Sequence, residues 1–206
     1  KGYLQRIKEL CEQNNILLIF DEVITAFGRC GGMTGAEVFG VVPDVMNIAK
    51  QLTNGAIPMG AVVATSEIYQ TFMESGLPDY MLEFPHGYTY SAHPVACAAG
   101  LAALKILESE RLPERVSKLA PHFSQCIHSL KDMPNVKDIR NFGFAGALTL
   151  ETYPGEPARR PFEVAMRMWE KGFYIRYGGD TLQLGLPFVI ESHEIDLLIS
   201  ALADAL

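Results

Sequence analysis

Residues 16–50 constrain this chain more than any other stretch. They read ILLIFDEVITAFGR, then a Gly-rich turn, then PDVMNIAK. Residues 16–20 are an unbroken apolar run, short enough for a buried parallel strand and too short for a buried helix. The run stops at Asp21 and Glu22. A second apolar run, 45–49 with only Asn47 interrupting, stops in the same way at Lys50. Open α/β sheets gather their ligands at the carboxyl ends of parallel strands. If both runs are such strands, a carboxylate and an amine emerge on one rim. That pair suits a pyridoxal phosphate site, where a lysine forms the Schiff base and an acid pairs with the pyridinium nitrogen.

The flanking sequence reads as a βαβ pattern. Residues 1–14 place Tyr3, Leu4, Ile7, Leu10 and Cys11 at helical spacing, and Asn14-Asn15 stops that helix. Gly28, Gly31, Gly32 and Gly35 let the loop after Asp21 turn tightly. One helical turn is expected at 36–39, a short strand at 61–65, and a helix from an N-cap at Ser66 to about Glu74. A long aromatic loop follows from Ser75 to Tyr90, a length that in compact domains usually carries function. Pro94 opens a helix to about Glu108.

Composition shifts at 109–113. Beyond it we expect a helix to about Leu130, strands at 136–141 and 147–151, and a helix from Pro161 to Lys171 closed by Gly172. Strands at 173–176 and 181–184 then precede a final helix capped by Ser192. This order predicts two domains, 1–108 and 109–206, the second a small α+β lobe.

DEVITAFGR, followed 29 residues on by the lysine of AKQLTNGAIPMGAVV, resembles the class III pyridoxal-phosphate-dependent aminotransferases. HGYTYSAHPVACAAG and RYGGDTLQLGLPF extend the likeness over the whole chain, nearest the ω-amino acid–pyruvate (β-alanine–pyruvate) group. The resemblance implies an α/β fold of type I: part of a large domain of mostly parallel sheet, plus a small α+β carboxyl-terminal domain. It implies pyridoxal 5'-phosphate as cofactor, and an amino donor and pyruvate as substrates. A homodimer or dimer-based tetramer with shared active sites is the implied assembly.

Residue by residue, the resemblance makes Lys50 the Schiff-base and proton-transfer group. Asp21 becomes the partner of the ring nitrogen, and Val23 the residue packed on the ring face. Thr89 would hold the cofactor phosphate of a neighbouring subunit, and Arg176 would grip the substrate carboxylate. From the residues alone Val23 reads equally as core, Thr89 as a loop residue, and Arg176 as half of an ion pair with Asp180. Glu22 reads as a structural acid or supporting hydrogen bonder, and Arg29 as structural. Ala26 stands where many family members carry glycine. By the same resemblance, the Gly/Ser-rich phosphate turn lies in a half that precedes residue 1, so the chain is expected to be the carboxyl-terminal part of such an enzyme, inactive and poorly soluble alone.

Other functions fit less well. A net charge of −7 argues against a nucleic-acid or acidic-membrane surface. Cys11, Cys30, Cys97 and Cys126 form no CxxC, and no metal site is expected; reduced thiols in a cytoplasmic protein fit them. No GxGxxG or P-loop supports a nucleotide-binding domain. Within the family, γ-aminobutyrate or ornithine aminotransferases and aminomutases are the rivals, and a fragment without activity of its own is another.

Overall fold

The structure is a computed structural model that describes residues 2–74 and 76–206; Lys1, where the first helix was expected to begin, and Ser75, at the head of the aromatic loop, lie outside them. The chain divides into two compact units, one of residues 1–27 and 32–111 and one of residues 28–31 and 112–206.

The first unit contains α1 (Tyr3–Gln13), β1 (Ile19–Asp21), α2 (Gly35–Phe39), β2 (Val45–Ile48), a 3-10 turn (Lys50–Thr53), β3 (Ala61–Ala64), α3 (Ser66–Met73) and α4 (Pro94–Ser109). β1 pairs parallel to β2, with Asp21 opposite Asn47. β3 pairs antiparallel to β2, unlike the mostly parallel sheet expected. The 49–60 connection explains the reversal: it holds only the 3-10 turn, whereas a parallel return needs a long crossover, usually helical.

The strand expected at 16–20 is also corrected. The backbone N–H of Ile16 donates to the Cys11 carbonyl and Asn15 takes a left-handed φ of 52°, so the end of α1 uses the backbone that a ladder would need. Nor is the strand buried, since Ile16 and Leu17 are 58% and 61% exposed and Ile19 is exposed too. Asp44 ties the corner together instead. Its carboxylate accepts from the Leu18 N–H at 2.7 Å and from Lys8 Nζ at 3.0 Å, joining α1 to the starts of both strands. Pro94 occupies the first turn of α4 as expected, and Thr65 rather than Ser66 holds the N-cap position of α3. Between α3 and α4 the described residues form no regular element.

The second unit contains α5 (Leu112–His128), β4 (Val136–Phe142), β5 (Ala145–Leu150), α6 (Arg159–Glu170), β6 (Arg176–Gly178), β7 (Thr181–Gly185) and α7 (Ser192–Ala205). Its sheet is antiparallel throughout, in the order β4-β5-β7-β6. Leu148 faces Leu182 in register, and both are buried with Leu150 and Leu184. Val116, Phe123 and Ile127 of α5, Val164 and Met168 of α6, and Ile195, Ile199 and Leu202 of α7 fill the same core. Phe123 meets Phe144 edge to face, with ring centroids 6.4 Å apart. A Cβ on Gly146 would strike Ile127 and Phe123 at 2.8 Å, so glycine lets α5 sit down on the sheet.

Arg29 reaches this unit from its own short segment. Its guanidinium donates to the carbonyls of Phe144 and Leu186 and lies over the Phe188 ring at 4.7 Å. Burial lowers its pKa, and its role is structural, as its sequence context suggested.

The strand expected at 173–176 begins only at Arg176, because the Phe173 N–H donates to the Met168 carbonyl and closes α6. Ser192 is the first residue of α7, not its cap. Glu191 caps the helix through a reciprocal box with Glu194. No described helix is long and apolar enough to cross a membrane.

Candidate active site

The last residue of β1 is Asp21, and the residue opposite it on β2 is Asn47, three positions before Lys50. Acid and amine therefore leave the sheet at the same end of adjacent parallel strands. The Asp21 carboxylate is exposed and accepts a bond from the Val23 N–H at 3.2 Å, which fixes the turn that carries half-buried Val23.

Glu22 faces the other way. Its side chain is 2% exposed, and its oxygens accept from Thr25 Oγ1 at 2.6 Å and from the Gly35 and Ala36 N–H groups at 2.7 Å each. A buried carboxylate with three donors is fully partnered. Glu22 is thus a structural acid that pins α2 to the end of β1. A Cβ on Gly35 would sit 3.1 Å from its oxygens, which is why that turn holds glycine.

Lys50 stands in a left-handed backbone, φ 44°. A non-glycine residue there costs about 1–2 kcal/mol, and such strain gathers at functional sites. The turn around it holds it there. Leu52 and Thr53 are buried, Thr53 Oγ1 donates to the Ile57 carbonyl at 2.6 Å, and α4 packs close by. A Cβ on Gly100 of α4 would already touch the Leu52 carbonyl and Met59 Sδ at 3.6 Å. The turn's inner side is anchored while the Lys50 side chain stays exposed.

Thr89 is exposed in the loop between α3 and α4, next to Tyr88, whose N–H donates to Ser91 Oγ at 3.2 Å. Arg176 is exposed at the head of β6 in the second unit, opposite Gln183. Of the five residues singled out, the structure gathers Asp21, Val23 and Lys50 at one sheet end.

One cluster escaped the sequence reading. His122 and Cys126 of α5 meet Asp196 of α7, their ligand-capable atoms all within 4.8 Å of one another. The legible part of the signal was His122 and Cys126 one turn apart on one helix face. Asp196 lies far along the chain and could be joined to them only by the fold.

An amine and a carboxylate leave the shared carboxyl end of two parallel strands, the place where open α/β sheets gather their ligands, and the lysine stands in strained backbone. A family model for class-III aminotransferases matches residues 1–206, and the chain belongs to that family. It is 60% identical over 205 residues to the β-alanine–pyruvate aminotransferase of Pseudomonas aeruginosa, which covers all of this chain and 46% of the relative. It is 58% identical to the ω-amino acid–pyruvate aminotransferase of Pseudomonas putida, with the same coverage. Among solved structures, an amine transaminase from an uncultivated Pseudomonas species in a PLP-bound form superposes with a TM-score of 0.90 at 36% identity. That match covers 99% of this chain and 47% of the other. The chain thus spans about half the length of the curated relatives it matches.

Proposed function

We propose that this chain carries the lysine half of a pyridoxal-phosphate-dependent aminotransferase site, moving an amino group from an ω-amino acid such as β-alanine, or an amine, to pyruvate. The observation that carries the reading is Lys50, held in left-handed backbone beside the strand that ends in Asp21. The substrate class follows the relatives named for pyruvate, at 58–60% identity, over those named for γ-aminobutyrate, at 31–35%.

The residues present fit the cofactor's chemistry. An exposed primary amine can bind its aldehyde, and an exposed carboxylate can face its ring nitrogen. Val23 would lie against the ring, and Thr89 of one subunit would hold the phosphate in its neighbour. When bound, pyridoxal phosphate supplies an electron sink for the pair left behind when a C–H bond of the substrate breaks. Lys50 Nζ takes that proton from the amine-bearing carbon and returns it, as a general base and then acid. Asp21 would face the ring nitrogen of the bound cofactor and would stabilise charge that builds there. Arg176 binds the substrate carboxylate through two parallel N–H donors, a geometry lysine cannot offer.

The reading further takes the first unit as part of the family's large domain and the second as its small carboxyl-terminal domain. It includes a homodimer or dimer-based tetramer with shared sites, in the cytoplasm. Borohydride reduction in the presence of pyridoxal phosphate, followed by peptide mapping, is expected to place the pyridoxyl group on Lys50. An adduct on Lys105 or Lys171 instead overturns the assignment.

A further inference from the structure

The His122, Cys126 and Asp196 side chains stand on α5 and α7 of the second unit, and none of them is assigned to the transferase site. We propose that they form a binding site for a divalent transition metal of zinc's type, with His122 Nε2, Cys126 Sγ and Asp196 Oδ1 as ligands and a water in the fourth position.

The distances carry this. Cys126 Sγ lies 3.6 Å from His122 Nε2 and 3.5 Å from Asp196 Oδ1, and Nε2 lies 2.8 Å from Oδ1. A tetrahedral zinc, with bonds of about 2.3 Å to sulfur and about 2.0 Å to nitrogen or oxygen, separates a sulfur ligand from the other two by about 3.5 Å. Two edges of the tetrahedron are therefore already in place. The third, nitrogen to oxygen, is short because a hydrogen bond spans it, and it needs to open to about 3.3 Å when a metal takes the proton's place.

The donors stand on rigid elements. His122 and Cys126 are one turn apart on α5, the spacing by which helices present two ligands on one face. Their neighbours Phe123 and Ile127 are fully buried, and so is Ile195 beside Asp196. Arg115 bolts the starts of α5 and α7 together: it donates to the Phe188 and Ile190 carbonyls and pairs with Glu191 at 2.7 Å.

The donor set suits a borderline-soft dication, since thiolate and imidazole favour zinc over magnesium or calcium. Two anionic ligands and one neutral one balance its charge. On binding, the Cys126 S–H bond breaks, its proton passes to solvent, and a metal–sulfur bond forms. The His122 ring gives up the Nε2–H that bonds Asp196; in the neutral ring that proton passes through solvent to Nδ1, and Nε2 coordinates the metal. Nothing is oxidised. Burial, with the Asp196 carboxylate beside it, pushes the Cys126 thiol up in pKa.

The test is a titration of the purified, reduced full chain with Co²⁺, then displacement by Zn²⁺. One equivalent is expected to bind, with a thiolate-to-cobalt charge-transfer band and the intense visible bands of tetrahedral cobalt. Cys126→Ser is expected to abolish the charge-transfer band, and His122→Gln or Asp196→Asn to weaken binding about tenfold or more. Zn²⁺ is also expected to protect Cys126 from iodoacetamide while leaving Cys11, Cys30 and Cys97 unprotected; this second measurement requires no variant to fold. No band at saturating Co²⁺, a band that survives in Cys126→Ser, or unchanged labelling of Cys126 under Zn²⁺ each overturns the site.

Discussion

The two sheets of this protein meet opposite fates: β5 and β7 alternate buried with less buried residues, while no residue of β2 or β3 is buried. In the second unit the inward residues of β5 and β7 are sealed by α5, α6 and α7, and Leu148, Leu150 and Leu182 are fully buried. In the first unit every residue of β3 is exposed, β1 is exposed at Ile19, and α1 buries none of its residues. Apolar side chains left in water contribute no burial energy. Buried apolar surface therefore concentrates in the second unit, while the first holds Asp21, Val23, Lys50 and Thr89. The first unit adds to a smaller apolar core, with Val41, Leu52, Ala103 and Leu107 buried, polar fastening by Asp44 at one end of its strands and Glu22 at the other.

This contrast can be broken at several points. The largest effect is expected from Asp21→Asn in the complete enzyme. Losing the charge opposite the ring nitrogen should slow proton transfer about 10²–10³-fold without moving the melting of the second unit, read by single-turnover kinetics beside calorimetry. Near-parental rates would remove Asp21 from the chemistry. Next, Leu148→Ala should cost about 2–5 kcal/mol through the cavity it leaves, whereas Val63→Ala on exposed β3 should cost no more than about 0.5 kcal/mol in the chain alone. Equal losses in denaturant titrations would mean that the first sheet is covered after all.

Arg176→Ala sharpens the comparison, because it asks whether the well-packed unit also serves the substrate. A charge-assisted bidentate pair contributes about 1.5–3 kcal/mol, so β-alanine should lose affinity about ten- to hundredfold while a neutral amine of similar size loses little. Equal losses would make Arg176 structural.

The smallest effect concerns Asp44. The Leu18 N–H, and then Lys8, hold its carboxyl below the usual range, and Asp44 raises Lys8 in turn. A depressed acid contributes stability above its unfolded pKa of about 4, and that contribution is lost as pH falls through the lowered value. A raised lysine contributes below about pH 10.4 and loses it as pH rises further. Asp44→Asn should thus cost about 1 kcal/mol at neutral pH and progressively less as pH falls through the lowered value. Hydrogen exchange at Leu18 reads this locally, and an unchanged acid profile would sink it.

Much of this was legible in the residues. Apolar runs ending at Asp21 and Lys50 gave the sheet end correctly, because strand ends are written locally. Helix termini were less legible. Whether Ile16 or Phe173 joins a ladder depends on which acceptor its N–H finds, and in both cases the preceding helix took it first. The direction of β3 depended on what the 49–60 connection could span. The Glu22 clasp and the His122–Cys126–Asp196 cluster were hidden for a third reason: their partners are fixed by tertiary packing, which no spacing encodes.

The backbone at Lys50 has a consequence for anyone who selects this protein for endurance. Glycine is at home in the left-handed conformation that lysine occupies there under protest. A heat-driven screen blind to turnover would drift toward glycine at that position, and its winners would be sturdier proteins without the amine proposed to hold the cofactor. On the proposed reading, position 50 is where durability and activity pull the same codon in opposite directions.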